Sequence, residues 1–172
     1  MIERESAILA PIPEAESLVG ELREQYDPRS AQGVPTHITI LFPFKHPDEI
    51  KEEDIMNLRT AIVPYQQFDF EFSHVNTYPG VVFLEPTNRD RFISITKKLV
   101  EVFPGNLPYG GQFPNINPHL TIGHKLGDRF EECSQKAELI GPKLPLRARA
   151  RNILLMTSQN GKWTVRERFF LS

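Results

Sequence analysis

Cysteine is almost missing from the chain: Cys133 stands alone among 172 residues. No disulfide closes within it, and no cysteine-rich zinc site can be assembled. A single thiol suits a reducing compartment, so a cytoplasmic protein is expected. Long apolar runs are missing too. The opening residues MIERESAILAPIPE carry three charges before a short apolar stretch, and no later segment approaches the ~20 apolar residues of a membrane span. Neither a secretory leader nor a membrane partner is expected. Nor is there an excess of positive charge. Lys plus Arg at 20 against Asp plus Glu at 22 leaves a net charge of −2, which argues against a broad basic face gripping long duplexes through their phosphates. A small or terminal phosphate stays open as a ligand. With 40% hydrophobic residues at this length, one compact domain over residues 1–172 is expected, as a monomer.

What is present alternates between strand and helix signals without a regular repeat. SAILAPI (6–12) is a strand closed by Pro11 and Pro13. Leu18, Leu22 and Tyr26 at four-residue spacing, with Val19 beside them, predict a helix from Glu14 to Tyr26. Pro28 and Gly33 mark a loop before the strand THITILF. A second helix follows from Asp48, with Ile55, Leu58 and Ile62 on one side and Pro64 at its end. FDFEFSHV (68–75) alternates with period two and returns through TYPG into VVFLEP (81–86), a β-hairpin. Residues 88–103 form a helix with Asn88 as its cap, and Phe130 to Ile140 a shorter one. The last thirty residues predict two strands joined at Asn160-Gly161. The fold class is therefore α+β with largely antiparallel sheets.

Against that background two tetrads match. HITI occupies 37–40 and HLTI occupies 119–122, a separation of 119 − 37 = 82 residues. On residue usage alone, a given histidine has roughly a 2% chance of the pattern, and two matches among five histidines come to a few in a thousand. Side chains alternate along a strand, so His37 shares a face with Thr39, and His119 with Thr121. Each strand thus presents an imidazole and a hydroxyl from one side. Displacement at phosphorus wants this set: a base and an acid on opposite sides of the phosphate, and donors for its non-bridging oxygens. Two imidazoles supply base and acid without a metal. No acidic residue lies within either tetrad and no His-Glu-x-x-His or Cys/His spacing occurs, so neither a metal site nor a cofactor is expected.

The doubled tetrads resemble the signature of the 2H phosphoesterase superfamily, which includes 2′-5′ RNA ligase-like proteins and 2′,3′-cyclic nucleotide phosphodiesterases. SAILAPIP, PTHITILFPF, PGVVFLEP, PYGGQFPNINPHLTIGH and GKWTVRERFFL fall in the order typical of that family, so the resemblance spans most of the chain. It implies two pseudo-symmetric lobes of mainly antiparallel sheet with flanking helices around a central cleft. It also implies metal-independent hydrolysis of a cyclic phosphodiester on a nucleotide or an RNA end. The quartet it assigns is His37, Thr39, His119 and Thr121, the histidines catalytic and the threonines substrate-binding, with the identity of the base left open. Ligation through a 2′-5′ linkage and a non-catalytic nucleotide-binding module are the alternatives.

Other residues are weaker candidates. Tyr109, beside Gly110 and Gly111 in the Pro/Gly/Asn-rich loop 104–118, is a substrate lid or a platform for a base. Phe42 and Phe44 are further stacking candidates, of which Phe42, continuing the apolar side with Ile38 and Ile40, fits the core better. Arg147, Arg149 and Arg151 share one face if extended: a charged edge that repels strand pairing, or a rim that contacts phosphate, with Arg151 the preferred contact. His46, His74 and His124 are expected to be structural or solvent-exposed.

Overall fold

The predicted signals resolve, in the computed structural model of residues 3–172, into a chain of short elements. In order they are β1 (Ser6–Pro11), α1 (Glu16–Tyr26), α2 (Pro28–Ala31), β2 (His37–Leu41), α3 (Glu52–Ile62), β3 (Phe68–Tyr78) and β4 (Val81–Pro86). Then come α4 (Arg89–Val102), β5 (Leu120–Gly123), α5 (Phe130–Glu138), β6 (Leu146–Ala150), β7 (Asn152–Gln159) and β8 (Lys162–Phe170). The strands form two four-stranded sheets, β2-β1-β7-β8 and β5-β4-β3-β6. Every pairing is antiparallel. The α+β class and the flanking helices are as expected.

The two sheets are built alike. Each contains a strand, a helix and a second strand in succession: β1-α1-β2 in one and β4-α4-β5 in the other. A strand more distant in sequence then pairs with the first strand of each unit, β3 beside β4 and β7 beside β1. Helices cross over as well, α1 packing on β5 and α4 on β2. Both tetrad strands are consequently sheet edges, and these two edges lie against each other, with Cα atoms within 8 Å.

Apolar spacing explains the packing beneath. Phe92, Ile95 and Leu99, one face of α4, are all at most 1% exposed. The Phe92 ring meets Phe68 and Phe70 of β3 edge-on at 4.9 and 5.0 Å, a geometry favoured by the ring quadrupoles. Ala7, Leu9, Leu154, Met156 and Trp163 make a second, smaller cluster on the other face of the first sheet.

Four local expectations change. The closing segment is three strands, because at Arg151 the chain leaves the second sheet (β6 beside β3) for the first (β7 beside β1). Residues 28–31 form a helical turn where a loop was expected: Asp27 accepts from the Arg29 backbone N–H at 3.0 Å, with Pro28 in the first turn. The helix expected from Asp48 starts at Glu52, the Pro47–Glu49 stretch being a separate 3₁₀ turn. Asn88 holds the cap position of α4 with φ 54° but its side chain donates to Asp69 O instead. At Asn160-Gly161 both φ angles are positive, 53° and 75°, as the predicted turn requires.

Candidate active site

Each tetrad does something that a plain strand would not. In the β1–β2 ladder Ile8 faces Leu41 and Leu9 faces Thr39, so Ile40 is an extra residue. In the β4–β5 ladder Val82 faces Gly123 and Phe83 faces Thr121, so Ile122 is the extra one. Both tetrads therefore end on a β-bulge, a feature that bends the strand and re-aims the residues beside it. Ile40 and Ile122 are buried. At the first bulge the Ile40 carbonyl accepts the hydroxyl of buried Thr96 of α4 at 2.8 Å.

His37 begins β2, and His119 immediately precedes β5. Their rings are held in the same way: Nδ1 of His37 lies 2.7 Å from Pro35 O, and Nδ1 of His119 lies 2.7 Å from Asn117 O. A carbonyl can only accept, so each Nδ1 carries the proton and each Nε2 is the free nitrogen. Burial lowers both imidazole pKa values. For His37 the value falls to about 4: enclosure by protein dominates, the Pro35 carbonyl opposes it, and the charges of Arg23 and His119 add to the lowering. Enclosure also leads for His119, opposed by the Asn117 carbonyl and assisted by His124 and Arg89. The charge of His119 thus bears on the His37 ring. Thr39 and Thr121 are partly exposed, each on its histidine's side of the strand.

Aromatic rings wall the site. Tyr78 at the end of β3 stands perpendicular to the His119 ring at 5.9 Å, and Phe83 lies 5.1 Å from it. On the other side Tyr109 is fastened by its backbone N–H to Phe42 O and packs against Phe42 and the exposed Phe113. Its phenol pKa is raised by burial and lowered by the adjacent Thr39 hydroxyl. Tyr109 therefore stands beside the first tetrad, on a 3₁₀ turn (Pro108–Gly111) of the long loop.

The remaining candidates lie elsewhere or are engaged. Arg151 binds Glu14 and donates to Arg149 O at 3.2 Å. Arg147 and Arg149 pair with Glu71 and Asp69 on the exposed edge. His46 accepts from the Asp48 N–H, exposed His74 meets Glu85, and Phe44 is buried against Phe103. Among the described residues, no group of three or more His, Cys, Asp or Glu side chains is placed to hold a metal ion, and no helix is long and apolar enough to cross a membrane. Sequence reasoning missed Tyr78, Phe83 and Asn117. Tyr78 was read as part of the TYPG turn, Phe83 carried only the signal of the returning hairpin strand, and Asn117 acts through its backbone.

Comparison with known proteins agrees with this architecture. The model of the 2′-5′ RNA ligase superfamily matches residues 11–162. A Bacillus cereus (strain G9842) protein named "Putative phosphoesterase" is 30% identical over 165 residues, covering 87% of this chain and 86% of its own. A Bacillus mycoides (strain KBAB4) protein of the same description is 29% identical with the same coverage. Escherichia coli LigT complexed with NADP+ superposes with a TM-score of 0.64 at 15% identity, over 100% of this chain and 99% of that one. The complex of LigT with 3′-AMP gives 0.62 at 14% identity, over 99% of each chain. At such identities the likeness to LigT is one of fold.

Proposed function

The chain belongs to the 2′-5′ RNA ligase superfamily of 2H phosphoesterases, and from that premise we propose that it hydrolyses the 2′,3′-cyclic phosphate of a nucleotide or an RNA end to a monoester. One observation carries the reading: two imidazoles on adjoining strand edges, each with Nδ1–H tied to a carbonyl and Nε2 left free. The phosphate lies between them. His37, whose pKa is held near 4, is neutral and its Nε2 takes a proton from the attacking water. As the water oxygen bonds to phosphorus, the ribose oxygen departs from the opposite side and receives a proton from Nε2 of His119. The proton gained by His37 returns to solvent, and His119 recovers one. The Thr39 and Thr121 hydroxyls donate to the non-bridging oxygens, where transition-state charge builds. Tyr109 offers its ring to the base of the nucleotide. That LigT is found with 3′-AMP, a monoester of the product class, supports a nucleotide ligand.

The test is a panel of cyclic mononucleotides, RNA ends and ADP-ribose cyclic phosphate, with a 2′-5′-linked dinucleotide to detect ligase-type exchange. Turnover of a cyclic phosphate, insensitive to EDTA, is the expected result, with His37→Ala and His119→Ala each losing at least ~10². A p-nitrophenyl phosphodiester, whose leaving group needs no proton, should restore activity to His119→Ala and not to His37→Ala. The opposite pattern would exchange the two roles, and tight mononucleotide binding without turnover would leave a binding module.

A further inference from the structure

The two halves hold their histidines by equivalent carbonyls but secure those carbonyls differently. On the His37 side the support comes from the adjacent chain: Ile12 N–H donates to Thr36 O and the Thr36 hydroxyl to Ile12 O, both at 2.8 Å. On the His119 side the carbonyl belongs to Asn117, at the end of the loop 104–118. Its side-chain oxygen accepts from Nη2 of Arg89, the first residue of α4. Nη1 of the same guanidinium donates to Glu85 Oε1 at 2.7 Å. Glu85 is fixed in turn, its Oε2 lying 2.8 Å from His74 Nε2 and 3.1 Å from Asn76 Nδ2. Burial would raise the Glu85 pKa, but the Asn76 and His74 hydrogen bonds and the charges of His74 and Arg89 hold it below the usual carboxylate value. It is therefore a charged anchor at neutral pH.

We propose that Arg89 is a positioning residue: anchored by Glu85, it holds the Asn117 side chain and thereby the backbone carbonyl that fixes the ring and tautomer of His119. The physical need is specific to this half. A neutral imidazole carries its proton on either nitrogen, and only the hydrogen bond made at Nδ1 decides which. If Asn117 drifts, that bond lengthens, the Nε2–H form gains population and the ring loses its aim. A misplacement of ~1 Å at a reacting group costs up to about 100-fold. Arg89 is bidentate, one nitrogen to each partner, a geometry that lysine does not reproduce. The charges bearing on the His119 ring are those of His124 and Arg89.

The catalytic consequence rests on the phosphoesterase reading, whereas the positioning itself does not. The experiment uses the full chain with Arg89→Met, Arg89→Lys and Asn117→Ala. In the free protein, ¹⁵N NMR of the imidazoles should show His119 as the Nδ1–H tautomer in wild type and as a mixture in Arg89→Met, with its pKa raised by loss of the nearby cation. On a cyclic nucleotide, kcat should fall about 10-fold or more while KM moves less than about two-fold. Arg89→Lys should recover part of the loss, and the Arg89→Met/Asn117→Ala double variant should be no worse than the worse single. The thermal midpoint should barely change, since the Arg89–Glu85 pair is partly exposed. An unchanged tautomer in Arg89→Met overturns the proposal, as does a loss confined to KM, which would make Arg89 a substrate contact. If wild type turns over no cyclic phosphate, the phosphoesterase reading fails and the NMR result still decides this one.

Discussion

Raising the pH from 5 to 8 should switch the protein off. In the proposed mechanism the productive free enzyme has His37 neutral and His119 protonated. His37 meets its condition over the whole range, its pKa lying at about 4. His119 does not, because burial puts its pKa below the ordinary 6.5. Even at 6.5 its protonated fraction would drop from ~97% at pH 5 to ~3% at pH 8, so kcat/KM should fall at least about 30-fold. A cyclic phosphodiester is a monoanion throughout, so the limb belongs to the protein. Binding brings a negative charge between the rings, which favours their protonated forms. The kcat profile should therefore lie at higher pH than that of kcat/KM. The assay is initial rate at low and saturating cyclic nucleotide from pH 4.5 to 8.5, beside an NMR titration of both imidazoles. A kcat/KM flat or rising between pH 5 and 8 would refute this ordering of base and acid.

Stability should respond to pH in the opposite sense, through His37. A His37 pKa lowered from 6.5 to about 4 means that the unfolded chain binds more protons in that window. Stability should thus fall as pH drops from 6.5 toward 4, by roughly 2 to 3 kcal/mol at this partly exposed ring, and urea midpoints of His37→Asn should lack that component. Gly123→Ala puts a Cβ 2.8 Å from Cys133 Sγ and 3.1 Å from Tyr26 Cβ, so a loss of about 1–3 kcal/mol is expected; an unmoved midpoint would mean that α1 and α5 yield. Thr96→Val keeps the shape but deprives the buried Ile40 carbonyl of its hydroxyl donor, costing about 1–3 kcal/mol, and should lower kcat because β2 loses its tie to α4. Arg151→Ala should change kcat/KM less than about three-fold, since Glu14 already occupies the guanidinium; a tenfold rise in KM would show that Arg151 leaves Glu14 for the substrate.

Residues acting through side-chain period were legible in advance. The Phe68, Phe70 and Phe72 row, the Phe92, Ile95 and Leu99 face and the two tetrads all announce their sides by spacing. What the backbone decides was not. Nothing in RARARNILL marks the change of sheet at Arg151, because the period-two pattern runs through it. The carbonyls of Pro35 and Asn117 leave no trace in residue type. Tyr78 was hidden because TYPG reads as a turn, whereas β3 runs on to Tyr78. Even with the strand extended, strict alternation from Phe72 would put His74, Asn76 and Tyr78 in the core with the phenylalanines. Instead the β3–β4 ladder shifts between Phe72, opposite Pro86, and His74, opposite Glu85. That extra residue turns the rest of β3 over and brings Tyr78 to the His119 ring.

The same device explains why the sequence repeats four residues rather than two. A histidine and a threonine with any residue between them would suffice to place an imidazole and a hydroxyl on one face. The fourth position matters because it is the bulged one: Ile40 and Ile122 each stand unopposed in their ladders and buried. A bulge bends its strand, and a bent edge can face another edge instead of continuing the plane of its own sheet. An isoleucine there supplies the apolar anchor that keeps the bend seated in the core. The tetrad is then a compact instruction, two groups of chemistry followed by the turn that points them inward. In the proposed mechanism opposed sides of one phosphate need an inward-pointing pair from each half, and the instruction does appear twice.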